Sequence, residues 1–202
     1  MGRMGRPLVM TAQARKTLIF SVAEKLFGAR GYEKVTMAEI AAEAGMSKRT
    51  LYLLFPDKDA LLRGLISSSY IWPEDAFAGA AGDPVMELRL RLKVTADHVL
   101  SERHIRLCRL AISESAGKAA LAEAFLDMGI GAGRLQLARA IEAIPRARQK
   151  LDLPAPVLAG MLYGTTCGFR LMQALLTGAM PNRAEVDSTI AQVVDGMFLP
   201  AL

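Results

Sequence analysis

The stretch that decides the fold is Val35-Thr36-Met37-Ala38-Glu39-Ile40-Ala41-Ala42-Glu43-Ala44-Gly45-Met46-Ser47-Lys48-Arg49-Thr50-Leu51-Tyr52-Leu53-Leu54, closed by Phe55-Pro56. Thr36 with Glu39 forms a capping box, in which the hydroxyl takes the amide of the third helical residue and the carboxylate reaches back to the Thr36 amide. Val35 and Ile40 occupy the two positions of a hydrophobic staple, which fixes the angle at which the chain enters the helix. That helix runs to about Ala44. Gly45 then supplies the positive φ a C-terminal cap needs, at no steric cost. Ser47 caps a second short helix, and Pro56 cannot continue it. Two helices joined by a tight glycine turn make a helix-turn-helix, a unit whose second helix enters the major groove of DNA.

Charge points the same way. Residues 1–63 hold 11 Lys/Arg against 6 Asp/Glu, so the whole formal net charge of +5 falls on the segment that carries this motif. The remaining basic and acidic residues cancel. A localised positive excess is the footprint expected of a polyanion partner. At 52% hydrophobic and 22% charged residues, the chain of 202 residues has enough apolar surface for a large core. Ala, Leu and Met abound and β-branched runs are nearly absent, so the expected class is all-α.

Upstream, Gly2-Arg3 and Gly5-Arg6-Pro7 fall in a short basic arm, residues 1–10. Such an arm can place a guanidinium in a narrow minor groove, or simply fray for want of a packing partner. Thr11 to about Arg30 reads as a long helix with Leu18, Ile19, Val22, Leu26 and Phe27 on one face. Gly31 ends it. After Pro56, Asp57 caps a further helix opening Lys58-Asp59-Ala60-Leu61. Lys58 in that first turn sits at the positive end of the helix, where an anion is favoured, so a DNA phosphate is its expected partner.

Residues 11–70 resemble the DNA-binding domain of the TetR family of transcriptional regulators. The resemblance is carried by Thr36-Met37-Ala38-Glu39-Ile40-Ala41, Ala44-Gly45-Met46-Ser47, Thr50-Leu51-Tyr52, Phe55-Pro56 and Lys58-Asp59-Ala60-Leu61. Helical phase puts Lys48, Arg49 and Tyr52 outward and Leu51 and Phe55 inward. Arg49 can take guanine O6 and N7 with both arms of its guanidinium. The family resemblance implies that Thr36, Ser47, Tyr52 and Lys58 hold phosphates and that Thr50 lies near the groove. The sequence departs from the family at Ala38, where relatives often carry a base-reading arginine, and at Leu54, often histidine. Leu53 and Leu54 offer DNA no hydrogen bond, so either the half-site readout is narrower than usual or the leucines touch thymine methyl groups; burial of one of them against the next domain is the structural alternative.

The remainder, 71–202, reads as a second, helical domain. Helices are expected from Pro84 to about Glu102, His104 to Ala116, Ala119 to about Ile144 with an interruption at Gly129–Gly133, Pro156 to about Thr177, and Asn182 to about Phe198. A break is expected at Trp72-Pro73 and a basic connection over 145–156. The order Ile105-Arg106-Leu107, Ala111-Ile112-Ser113-Glu114, Leu121, Phe125-Leu126 and Gly129 is similar to the AefR-like group of TetR C-terminal domains.

What the resemblance implies for this half is effector binding and dimerisation. A mostly apolar effector pocket is expected among Trp72, Met86, Phe125, Met128, Tyr163 and Phe169, with His98 and Arg106 as polar anchors. In the family the last two long helices pair with their twins. Gly160, Gly164 and Gly168 recur every four residues and leave one helix face bare. With Met172 and Leu175, and with Val186, Ile190, Val193, Val194 and Met197, they form the expected dimer interface. A purely intramolecular core is the alternative for the same residues.

Other classes fare poorly. The uncharged run Val157–Phe169 is too short to cross a bilayer, which needs roughly 20 apolar residues. Gly129, Gly131 and Gly133 lack the strand that precedes a dinucleotide-binding turn. His98 and His104 have no metal-ligand or triad partners beside them, and Cys108 and Cys167 read as reduced thiols. No cofactor, no metal and no catalysis are therefore expected. The expected function is a cytoplasmic, homodimeric repressor that binds a palindromic operator in double-stranded DNA and is released by a small apolar effector. The alternative is a ligand-binding or protein-interaction module that keeps a helix-turn-helix without a specific operator.

Overall fold

The computed structural model describes residues 10–68, 82–115, 123 and 126–200. Among these the chain is helical, with a single isolated bridge between Gln149 and Phe198. It divides into two compact units, Met1–Leu65 and Ile66–Leu202. The predicted basic arm, the Trp72-Pro73 break and Phe125 lie outside the described residues.

The first unit holds α1 (Ala12–Arg30), α2 (Met37–Glu43), α3 (Lys48–Leu54) and the start of α4 (Lys58–Ser68). Thr11 caps α1 by accepting the Ala14 amide, and Gly31, at φ 79°, follows its last turn. Ile19, Val22, Ala23 and Phe27 form the buried face of α1. Against it lie Val35, Ile40 and Leu51, each fully buried, and each such side chain contributes about 1.5–3 kcal/mol of burial. Phe20 and Phe55 meet at 5.3 Å between ring centroids, and Phe27 meets Tyr32 at 5.0 Å. Three helices of this length can bury a core only together, so α2 and α3 are held rigidly by α1.

The second unit contains α5 (Pro84–Val99), α6 (Glu102–Ser115), α7 (Ala132–Glu142), α8 (Ala155–Tyr163), α9 (Phe169–Thr177) and α10 (Arg183–Met197). Its core is built from Leu88, Leu92 and Ala96 of α5, Leu137 and Ile141 of α7, Leu158 and Leu162 of α8, and Val186, Ile190 and Val194 of α10. The Arg148 guanidinium ties Asp83, the cap of α5, at 2.8 Å and also donates to the Leu199 carbonyl. This closes the two ends of the unit on each other.

The glycine-rich interruption is a π-helical segment, Leu126–Gly131, running directly into α7. A second, Gly164–Gly168, joins α8 to α9, so the single expected helix over 156–177 carries a wide turn in its middle. Arg170 donates to the Thr165 and Thr166 carbonyls there and to Thr189 of α10, and buried Thr166 donates to the Leu162 carbonyl. Such segments favour functional sites, because they re-aim side chains without breaking the helix.

His98 and His104 close the α5–α6 corner, their ring centroids 4.8 Å apart. Burial, with Arg103 adding to it, lowers the His98 pKa; burial, then His98 and Arg103, lowers that of His104 to about 3. Both rings are neutral in the folded chain, whereas the unfolded chain takes up protons near pH 6.5. At His104 the unfolded state thus binds more protons below that pH, and this residue's contribution to stability is lost as pH falls from about 6.5 toward 3, at up to about 1.4 kcal/mol per unit; the lowered pKa of His98 acts in the same direction. Urea unfolding midpoints should drop between pH 6.5 and 5, before the carboxylates titrate. His104→Gln should flatten that slope; an unaltered slope in the variant would refute the assignment.

Candidate functional site

The predicted capping box is present in full: Thr36 Oγ1 accepts the Glu39 amide at 3.2 Å, and Glu39 Oε2 accepts the Thr36 amide at 2.8 Å. Those hydrogen bonds, with the Arg30 ion pair at 2.8 Å, hold the Glu39 carboxyl at a pKa of about 2. Lys25 pairs with Glu43 in the same way at 3.0 Å. Both acids of α2 are therefore matched by bases of α1. Gly45 has φ 63°, and the Met46 amide returns to the Ala41 carbonyl. Ser47 accepts the Thr50 amide, and its hydroxyl lies 2.9 Å from that of Thr50.

On α3, Leu51 and Phe55 point into the core. With about 100° per residue, Arg49 and Leu53 fall on the opposite side, one turn apart. Ser47, Lys48, Arg49 and Tyr52 are exposed, and Thr50 is half-buried. Among the described residues Lys48 and Arg49 make no ion pair, so their charge is available to a polyanion. Leu53 is 78% exposed while Leu54 is half-buried, so Leu53 presents the more open apolar side chain.

Lys58 departs from expectation. Its ammonium donates to the carbonyls of Tyr32 at 2.9 Å, Val35 at 3.1 Å and Glu33 at 3.4 Å, and lies 4.2 Å from the centre of the Tyr32 ring. Tyr32 in turn hydrogen-bonds Asp59. The side chain turns back onto the loop between α1 and α2, where the Glu33 and Val35 carbonyls, and that of Tyr32, which also accepts the Val35 amide, converge on the ammonium. In the chain without DNA, Lys58 is thus engaged by the backbone instead of standing free on the outer face. It clamps the motif from behind.

In the second unit a cavity of about 440 Å³ opens between α6, both π segments and α9. Cys108, Ala111 and Ile112 line it from α6, Leu126 and Ile130 from the first π segment, and Tyr163 and Gly168 from around the second. Leu171, Met172 and Leu175 of α9 complete the wall. Of the expected pocket residues that the structure describes, Tyr163 is there. Met86 is exposed, Arg106 is exposed and paired with Glu102, His98 sits at the α5–α6 corner, and Phe169 lines a separate crevice with Arg170, Gln173 and Glu185. Trp72 and Phe125, and the side chain of Met128, lie outside the described residues. Cys108 and Ile112, which sequence reasoning missed, share an i,i+4 face of α6 that reads equally well as core.

The residues expected on the dimer face divide between the chain's own core and its surface. Val186, Ile190 and Val194 are buried in the core of their own chain, with Val193 and Met197 packed against them. A Cβ on Gly160 would stand 3.1 Å from the Arg134 guanidinium, so that glycine makes room for α7. Gly168, Met172 and Leu175 line the cavity. The wide turn at Gly164–Gly168 rephases α9 relative to α8, and a strict four-residue repeat cannot stay on one face across it. The surface carries Val157, Met161, Phe169, Leu176 and the expected Met172, all exposed, with open space beside the expected Gly164.

A capped helix-turn-helix with free cations on its outer face, followed by a helical unit enclosing an apolar cavity, is the architecture of a DNA-binding regulator. The family model for bacterial regulatory proteins of the TetR family matches residues 19–65, and that for the AefR-like transcriptional repressor C-terminal domain matches residues 87–201, more than half of the chain. The chain belongs to the TetR family. It is a helix-turn-helix transcriptional regulator, and regulators of this family are non-enzymatic DNA-binding transcription factors that act as dimers with small-molecule effectors. It is similar to YuxN of Bacillus subtilis (strain 168), an uncharacterised HTH-type transcriptional regulator, with 39% identity over 56 residues, 28% of this chain and 19% of that protein. A TetR-family structure from Mesorhizobium loti MAFF303099 aligns over 94% of this chain and 100% of its own at a TM-score of 0.72 and 20% identity. NalD, the secondary repressor of the MexAB-OprM multidrug efflux pump in Pseudomonas aeruginosa, aligns over 93% and 98% at 0.64 and 19%. Among the described residues no helix is long and apolar enough to cross a membrane.

Proposed function

We propose that the protein is a homodimeric repressor that binds a palindromic operator in the cytoplasm and leaves it when a small, largely apolar effector fills the cavity of the second unit. The observation that carries the DNA reading is the pair Lys48 and Arg49, exposed and without ion-pair partners at the start of a rigidly held recognition helix. Arg49 reads a guanine; Ser47, Tyr52 and Thr36 set position on the phosphates, with Thr50 beside the groove. The match to a repressor C-terminal domain, and the likeness to NalD, favour repression.

Dimerisation is assigned to the exposed stripe Val157, Met161, Phe169, Met172 and Leu176 on α8 and α9, with Gly164 allowing close approach. An apolar surface of this extent on a monomer marks an interaction site. Release follows if the effector binds better to the conformation whose recognition helices are wrongly spaced, since a ligand shifts an equilibrium only by its differential affinity.

Selection from random duplex DNA tests the reading. Wild-type protein should enrich an inverted repeat, and Arg49→Ala should lose about 1–3 kcal/mol of discrimination at one position of each half-site. A selection that enriches nothing would favour a module without an operator.

A further inference from the structure

The cavity of the second unit is apolar on every side but one. Among the described residues no charged side chain lines it, and at about 440 Å³ it lies at the small end of ligand pockets. Tyr163 is only 7% exposed, yet its phenol hydroxyl makes no hydrogen bond to any described residue. Its oxygen is not sealed from solvent, so the hydroxyl is open to a ligand entering the cavity that Tyr163 lines. Burial, with Cys167 and Cys108 nearby, raises the phenol's pKa, so the group stays protonated and presents a donor. The thiol of Cys108, on the same wall, is pushed up to about 12 and is a weak neutral donor at best.

We infer that the cavity takes a compact, uncharged, largely apolar molecule bearing one acceptor oxygen, a ketone or comparable carbonyl, and that Tyr163 donates the hydrogen bond that orients it. The inference rests on the effector reading above and gives that effector its chemical class. A carboxylate or an amine is disfavoured because the walls offer no counter-charge. A pure hydrocarbon fits the walls but leaves the hydroxyl unanswered.

A ligand pair that differs only in the carbonyl tests this: 1-indanone against indane, titrated calorimetrically into the full-length protein and into Tyr163→Phe. The ratio of the two dissociation constants should shift by about threefold to tenfold toward the hydrocarbon in the variant, the worth of one hydrogen bond. Thermal stability of Tyr163→Phe should be unchanged, since the hydroxyl has no protein partner to lose. Ile130→Trp, which fills the cavity, should abolish binding of both. The inference is overturned if the ratio is the same in both proteins, if neither probe binds wild type, if Tyr163→Phe is strongly destabilised, or if Ile130→Trp still binds. Operator binding separates the two readings. If the ratio shifts but 1-indanone leaves operator affinity intact, effector release fails and the ligand class stands. If indane and 1-indanone release the operator alike in both proteins, release stands and the role of Tyr163 fails.

Discussion

Leu176→Arg is expected to turn the protein into a monomer that keeps its fold and loses specific operator affinity by about 10³-fold or more. Leu176 is 78% exposed and makes no part of the core, so the arginine costs the monomer little. In a dimer sealed by the α8–α9 stripe, the same arginine meets its symmetry copy or an apolar neighbour, and a buried unpaired charge costs several kcal/mol. Phe169→Asp, at 73% exposure on the same stripe, should act alike. Sedimentation of the variants should report 21.8 kDa, the mass of one chain. Affinity collapses because each copy then holds a single half-site. A Leu176→Arg dimer with intact operator binding would place the interface elsewhere.

Lys58→Met should lower the stability of the first unit by about 2–4 kcal/mol, because three carbonyls lose a charged donor together. Its effect on DNA separates the clamp from the phosphate contact first expected of it. Removing a phosphate contact reduces the slope of log affinity against log salt by roughly one. Removing a clamp leaves that slope unchanged while the unfolding midpoint falls. Denaturant unfolding and operator titrations across a salt series decide between them, and the structure predicts the second pattern.

The contrast between these residues shows what a sequence makes legible. The helix-turn-helix could be read to the residue because its determinants are local: Thr36 reaches Glu39, Ser47 reaches Thr50, and Gly45 turns the chain on its own. Lys58 could not, since its partners Tyr32, Glu33 and Val35 lie more than twenty residues away and are backbone atoms that any sequence possesses. The α10 face left two alternatives open for a related reason. Val186, Ile190 and Val194 recur at helical spacing, which says that a face is buried but not whether its own chain or a copy buries it. The cavity was hardest. Its walls come from α6, α9 and two π segments, and each π turn shifts the phase from which a helical reading assigns faces. Tyr163 does line the cavity, and nothing local to it announced that its hydroxyl would go without a partner among the described residues.

The central claim is that two copies of the α3 face read one operator together, from opposite half-sites of a duplex. Inserting about five base pairs between the half-sites of the selected operator rotates one half-site to the far side of the helix, half a turn of roughly ten. Fluorescence anisotropy of the wild-type protein on the parent and lengthened duplexes should then show affinity falling toward the non-specific level, about 10³-fold or more. Equal affinity for the two duplexes would mean that each helix-turn-helix binds on its own, and would contradict the account.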